Sequence, residues 1–185
     1  RCGWMEFHNT ELDADFKAFA DSIRKRMLVE VCATTLPQLV LPRIYDHAEF
    51  QPWLDSHNHE LETASNGIAG LLGATKGLSI RPIHGAFYMM PLFKDGVLNS
   101  RQTLPIAQPA ARDFINRAVS APDFPLDKRF TFYLLASTGI CVVPASDFES
   151  PLPGFRVTTL DRDPARREKT YTALSNAVEQ YLASA

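Results

Sequence analysis

Cysteine is scarce in this sequence, and neither an excess of one charge nor a long apolar run is present. The three cysteines form no Cys-x-x-Cys pair and their odd number leaves one thiol over, so we expect a reducing, cytoplasmic setting. The formal net charge of −2 gives no reason to expect nucleic acid as a partner. Because no apolar run approaches the roughly 18 residues of a spanning helix, we expect no membrane partner either.

The residues that are present favour a folded domain over a disordered tail. The chain has 185 residues, of which 45% are hydrophobic, and one domain takes roughly 100–200 residues. The chain begins with Arg1 instead of Met, and it shows no signal or transit pattern. We therefore expect it to be a piece of a longer protein.

Apolar spacing and turn residues predict an α/β layer structure. Apolar residues at three- and four-residue steps predict helices, and short apolar or alternating runs predict strands. The predicted helices cover residues 12–27, a stretch ending near 45, 49–73 or 77, 109–119, 130–138 and 164 onward. The predicted strands cover residues 4–8, 78–93 as one bent strand or two, 140–143 and 154–160. This order indicates a small sheet with helices packed on it in two layers.

Three segments, taken in order and spacing, carry a resemblance to a known family. Residues 1–6 read Arg-Cys-Gly-Trp-Met-Glu, and residues 84–88 read His-Gly-Ala-Phe-Tyr. Residues 134–144 read Leu-Leu-Ala-Ser-Thr-Gly-Ile-Cys-Val-Val-Pro, and Phe148 and a Phe-Arg pair at 155–156 follow them. The set resembles the C-terminal portion of class I (fold type I) pyridoxal-phosphate (PLP) aminotransferases, and it is most similar to alanine aminotransferase.

The resemblance implies a domain organisation and a set of partners. Residues 1–10 would be the terminal strand of a missing PLP-binding large domain, 11–46 an interdomain helix and connection, and 47–185 the C-terminal small domain. The intact protein would be a homodimeric enzyme that transfers an amino group between an L-amino acid and a 2-oxo acid, with alanine and 2-oxoglutarate as the expected pair.

The resemblance also implies roles for four residues. The arginine at the place of Arg1 holds the PLP phosphate in this family, and the arginine at the place of Arg156 clamps the substrate α-carboxylate. A guanidinium suits both roles because its rigid fork of donors matches pairs of oxygens. Tyr88 and Phe148 are expected to line the substrate side. The Schiff-base lysine of the family would precede Arg1, so we expect the chain alone to be inactive and to hold no catalytic residue.

Alternative interpretations stand beside this one. The chain could be a non-catalytic α/β binding or assembly module, or part of another PLP enzyme of the same fold, such as an aromatic aminotransferase or a carbon–sulfur lyase. Read without the family, Arg156 would be a surface or edge arginine paired with a carboxylate. Ala145 and Asp147 stand where relatives have glycine, which leaves the conformation of that loop and the choice of substrate open.

No metal site is predicted. His57 and His59 lie two residues apart on a predicted helix, so they point to different faces. A zinc pair on one face needs a spacing of four residues, and His57 falls on the apolar stripe of its helix. A partly buried structural histidine is therefore the interpretation that we favour.

Overall fold

Asp13 begins the first helix of a computed structural model, in which residues 3–30 and 34–185 are described. Its side chain accepts a hydrogen bond of 2.7 Å from the Phe16 amide, and this N-cap starts α1 (Ala14–Met27). The second helix, α2, spans Thr35–Tyr45. Both helices are confirmed as predicted.

The strand predicted for residues 4–8 does not form within the described part of the chain, and its assignment to a missing large domain stays a prediction. Residues 3–9 form neither helix nor strand, and no strand in the described part of the chain pairs with them. A strand needs a neighbour for its backbone N–H and C=O groups, so this segment takes another conformation. The Phe7 ring packs edge-on against the rings of Phe16 and Phe19, at centroid distances of 6.2 and 6.5 Å.

The chain divides into two units, Arg1–Asp55 and Ser56–Ala185. The division falls inside the long helix α3 (Phe50–Gly73), which ends at the first of its two predicted end positions, 73 and 77. The first unit contains α1 and α2 besides the start of α3. The second unit contains all the strands of the described chain and the remaining helices.

Five short strands form two small antiparallel sheets. The strands are β1 (Leu78–Ser79), β2 (Tyr88–Met89), β3 (Leu92–Phe93), β4 (Val143–Pro144) and β5 (Phe155–Thr158). β1 pairs with β3, while β5 lies between β2 and β4. The segment predicted as one bent strand or two is therefore three strands, which belong to two sheets.

Three helices pack on these sheets around one apolar core. They are α4 (Pro109–Ala118), α5 (Leu126–Thr138) and α6 (Pro164–Leu182). The rings of Phe130, Phe155 and Tyr181 are fully buried, and the Phe130 centroid lies 5.4 Å from that of Phe155 and 5.2 Å from that of Tyr181. The two-layer α/β architecture with small sheets is confirmed.

Two predicted elements differ in extent. Helix α5 begins at Leu126, four residues before its predicted start, because Pro125 occupies the N-cap, where a proline removes no helical hydrogen bond. The buried strand predicted at 140–143 pairs only at Val143–Pro144, and Cys141 is exposed. β4 is the edge strand of its sheet, so one of its sides has no neighbouring strand to bury it.

Candidate functional site

The middle strand of the three-stranded sheet carries the arginine that the sequence singled out. Phe155 and Val157 of β5 are buried in the core, so Arg156, which alternates with them, points to the other face. Across the sheet, Arg156 is the register partner of Val143 on β4, and Tyr88 on β2 is the partner of Thr158. Arg156 therefore lies at the centre of the outer face of the sheet, not at its edge.

Two aromatic rings lie against the Arg156 guanidinium. Its central carbon is 4.4 Å from the centroid of the Tyr88 ring and 4.7 Å from that of the Phe148 ring. Both rings are about half exposed, at 44% and 46%. The structure thus brings together the three residues expected on the substrate side, although they come from β2, β5 and the loop between β4 and β5.

The hydrogen-bond donors of this guanidinium have no acceptor among the described residues. No carboxylate in that part of the chain lies within ion-pair distance of Arg156, and no oxygen there accepts a hydrogen bond from it. Contacts over the ring faces leave the donors at the guanidinium edge available. The arrangement can therefore receive a carboxylate in two-pronged geometry.

Polar contacts hold the loop that presents Phe148, although Ala145 and Asp147 depart from the family pattern. Ala145 is fully buried, and its amide donates to the Gly154 carbonyl (2.9 Å) at the base of the loop. Asp147 lies in a single 3-10 turn, Ala145–Phe148, and its Oδ1 is 2.8 Å from the Lys128 Nζ. Ala145 has no positive φ, so glycine is not required there.

Sequence reasoning missed a buried carboxyl group at the base of the loop that carries Phe148. Asp127 is 2% exposed and accepts hydrogen bonds from backbone amides of the same loop. Because α5 is predicted to start at residue 130, Asp127 is expected in a connecting loop, where an aspartate does not indicate a site. Its position directly after Pro125 and Leu126, in the first turn of a helix, is the signal that could have found it.

Arg1, the residue expected to bind the PLP phosphate, lies outside the described residues. The six lysines of the chain are all exposed or half-buried, and Lys128, the half-buried one, is paired with Asp147. A lysine that forms a Schiff base is typically desolvated in an apolar pocket, and none of these six side chains is buried.

Neither a metal cluster nor a spanning helix is present in the described part of the chain. No group of three or more His, Cys, Asp or Glu side chains there is placed to hold a metal ion. Over the same residues, every helix is too short or too polar to cross a bilayer.

The fold is shared with an aminotransferase of known structure. A crystal structure of the aspartate aminotransferase from Rhizobium meliloti matches 69% of this chain with a TM-score of 0.52 and 23% sequence identity. The match covers 27% of that longer chain. No protein-family model matches the sequence.

A curated relative is similar over nearly the whole chain. The chain is 41% identical over 182 residues, 98% of its length, to an uncharacterized aminotransferase of Methanocaldococcus jannaschii. It spans 42% of the length of that relative. The chain is therefore similar, over nearly its whole length, to part of that aminotransferase, and the resemblance read from the sequence is confirmed at that level.

Proposed function

We propose that this chain is the C-terminal, substrate-carboxylate-binding part of a PLP-dependent aminotransferase. The intact protein would transfer an amino group between an L-amino acid and a 2-oxo acid, and we favour alanine and 2-oxoglutarate. The observation that carries the proposal is the Arg156 guanidinium, which lies against Tyr88 and Phe148 with its donors unpaired among the described residues. The similarity to an aminotransferase supports a substrate carboxylate as the partner of this guanidinium.

Arg156 would hold both oxygens of the substrate α-carboxylate. Two parallel N–H···O bonds fix the carboxylate in one plane, so the Cα–H bond and the amino group take one orientation. Such orientation contributes far more to the rate than charge attraction alone, because a misplacement of about 1 Å can cost about 100-fold.

Tyr88 and Phe148 would support this interaction in two ways. Their faces attract the guanidinium, which at exposed sites contributes about 0.5–1 kcal/mol, and they restrict its rotation. They also remove water from its faces, which strengthens the remaining in-plane hydrogen bonds to a bound carboxylate.

The cofactor chemistry would depend on residues other than the described ones. When bound, PLP supplies an electron sink for the carbanion that forms at the substrate Cα. Of the family's cofactor residues, only the phosphate-binding arginine corresponds to a position of this chain, Arg1. We therefore propose that the 185 residues alone do not transaminate. From the family resemblance, we also propose that the intact enzyme is a cytoplasmic homodimer.

The test is amino transfer by a protein that carries this chain together with the segment preceding Arg1. We expect L-alanine and 2-oxoglutarate to be converted to pyruvate and L-glutamate, and the 185-residue chain to show no conversion. Activity with tyrosine or aspartate but not alanine would show that the substrate pair is wrong. No transfer from any amino acid, with retained binding of 2-oxo acids, would favour the non-catalytic module and overturn the proposal.

A further inference from the structure

A single buried carboxylate connects the two ends of the loop that carries Phe148. Oδ2 of Asp127 accepts hydrogen bonds from the amide of Ser146 at 2.9 Å and from the amide of Gly154 at 3.3 Å. Oδ1 accepts from the amide of Lys128 at 2.7 Å. Ser146 lies just after β4 and Gly154 just before β5, so one oxygen atom bridges the beginning and the end of the loop.

The same loop end leads directly into the candidate site. Gly154 precedes β5 by one residue, and Arg156 is the second residue of that strand. Phe148 lies inside the loop and contacts the Arg156 guanidinium at 4.7 Å. A displacement at the base of the loop would therefore move Phe148 relative to Arg156.

The burial of Asp127 makes this connection strong. A carboxylate that is only 2% exposed is costly to bury unless hydrogen bonds compensate it, and here backbone amides supply them. Hydrogen bonds to an ionised acceptor are roughly twice as strong as neutral ones. The second contact of α5 with this loop, from Lys128 to Asp147, is partly exposed to solvent and therefore weaker.

We propose that Asp127 is a positioning residue, which holds the 145–154 loop closed so that the Phe148 ring stays over the Arg156 guanidinium. Its relevance to catalysis rests on the proposed function of Arg156. Asp127 itself would not touch the substrate.

The direct readout is the chemical shift of the Arg156 Nε–H proton, measured by NMR in the chain with ¹⁵N-labelled arginine. Aromatic rings shift protons over their faces upfield, so Phe148→Ala gives the value for a site without that ring. We expect Asp127→Ala to move the Arg156 signal toward the Phe148→Ala value. We expect Asp127→Asn, which keeps one oxygen for Ser146 and Gly154, to restore most of the wild-type shift.

Thr131→Val is the matched control. Thr131 is also buried on α5, and its hydroxyl donates to the Lys128 carbonyl at 2.8 Å, within the helix and not to the loop. We expect this variant to lose stability while its Arg156 signal stays at the wild-type position. A wild-type Arg156 shift in a folded Asp127→Ala variant would overturn the proposal.

A measurement on the wild-type chain covers the case in which Asp127→Ala does not fold. We expect the amides of Ser146 and Gly154 to exchange with solvent as slowly as the β5 amides that pair with β2 and β4. Free exchange at both amides beside slow exchange in β5 would contradict the proposal. These readouts do not depend on amino transfer, so they succeed or fail separately from the proposed function.

Kinetics of the longer protein distinguish the positioning role of Asp127 from the substrate-binding role of Arg156. If both hold, Asp127→Ala raises KM for the amino acid by about tenfold, with a smaller change in kcat, because the carboxylate site is loosened before the chemical step. A shifted Arg156 signal with unchanged KM would retain the positioning role and refute the substrate role of Arg156.

Discussion

At the scale of single residues, the candidate site depends on one charged group that aromatic faces hold in place. Arg156 was singled out from its motif, and the structure adds what a motif does not contain, namely its contacts with Tyr88 and Phe148 and the absence of a carboxylate partner among the described residues. Its role in binding a substrate carboxylate stays a prediction.

Phe148 offers a direct test of the aromatic contact. We expect Phe148→Leu to change the free energy of unfolding little, because the side chain is 46% exposed, and to weaken 2-oxo acid binding several-fold, since about 0.5–1 kcal/mol of cation–π attraction is lost. Isothermal titration and urea unfolding measure the two effects. Phe114→Leu is the control, because Phe114 is similarly exposed at 59%. Equal loss of binding in both variants would mean that the contact is incidental.

Two buried tyrosines make a second matched pair. The Tyr171 hydroxyl donates to the Thr158 carbonyl at 2.6 Å, whereas the Tyr181 hydroxyl has no hydrogen-bond partner among the described residues. We expect Tyr171→Phe to lower the free energy of unfolding by about 0.5–1.5 kcal/mol, and Tyr181→Phe to leave it unchanged or raised. Urea unfolding of both variants decides this. A larger loss for Tyr181→Phe would contradict the assignment.

At the scale of elements, the close approach of two backbone segments limits which residue fits at the base of the 145–154 loop. A β-carbon on Gly154 would lie 2.5 Å from the Pro91 carbonyl oxygen, whereas a β-carbon on Gly67 of α3 would meet nothing within 4 Å. The glycine before β5 is therefore required by packing, and the helical glycine is not.

Substitution of these two glycines should give effects of opposite sign. We expect Gly154→Ala to lower the free energy of unfolding by about 1–3 kcal/mol, because the Pro91 backbone must shift. We expect Gly67→Ala to raise it by about 0.5–1 kcal/mol, since alanine favours a helix. Thermal unfolding measures both, and a tolerated Gly154→Ala would show that the close approach of Pro91 is wrong.

The helices were predictable and the strands were less so, for a physical reason. The helix signals are local: Asp163 caps α6, and Gly139, with φ of +76°, ends α5. Strands depend on partners distant in sequence, so the division of residues 78–93 between two sheets could not be predicted from its pattern alone. The contacts of Asp127 depend in the same way on loop residues that lie 19 and 27 positions further along the chain.

At the scale of the whole molecule, buried phenols make stability depend on high pH. Burial raises the pKa of Tyr171 to about 12 from an ordinary value of 10, and burial also raises that of Tyr181. Below about pH 10, the folded and the unfolded protein both keep the two tyrosine hydroxyl protons, so the contribution of these groups to the free energy of unfolding is fully present. As the pH rises from 10 toward 12, the unfolded state loses protons first, so stability is lost.

We expect the free energy of unfolding to fall between about pH 10 and pH 12, and to fall less in the Tyr171→Phe/Tyr181→Phe double variant. The exposed Lys17–Glu11 pair raises the pKa of Lys17, so it also makes the stability fall as the pH rises. High salt during the measurement screens this pair and reduces its contribution. An equal loss in the double variant would show that other groups cause the dependence.

Arg156, as we propose, binds the substrate α-carboxylate in two-pronged geometry. The most direct measurement is kcat/KM for amino transfer by the longer protein with Arg156→Lys, beside Arg112→Lys on the exposed face of α4 as control. Lysine keeps the charge and loses the planar fork, so we predict a fall of about 100-fold or more for Arg156→Lys and little change for the control. Equal activity of the two variants would contradict the account.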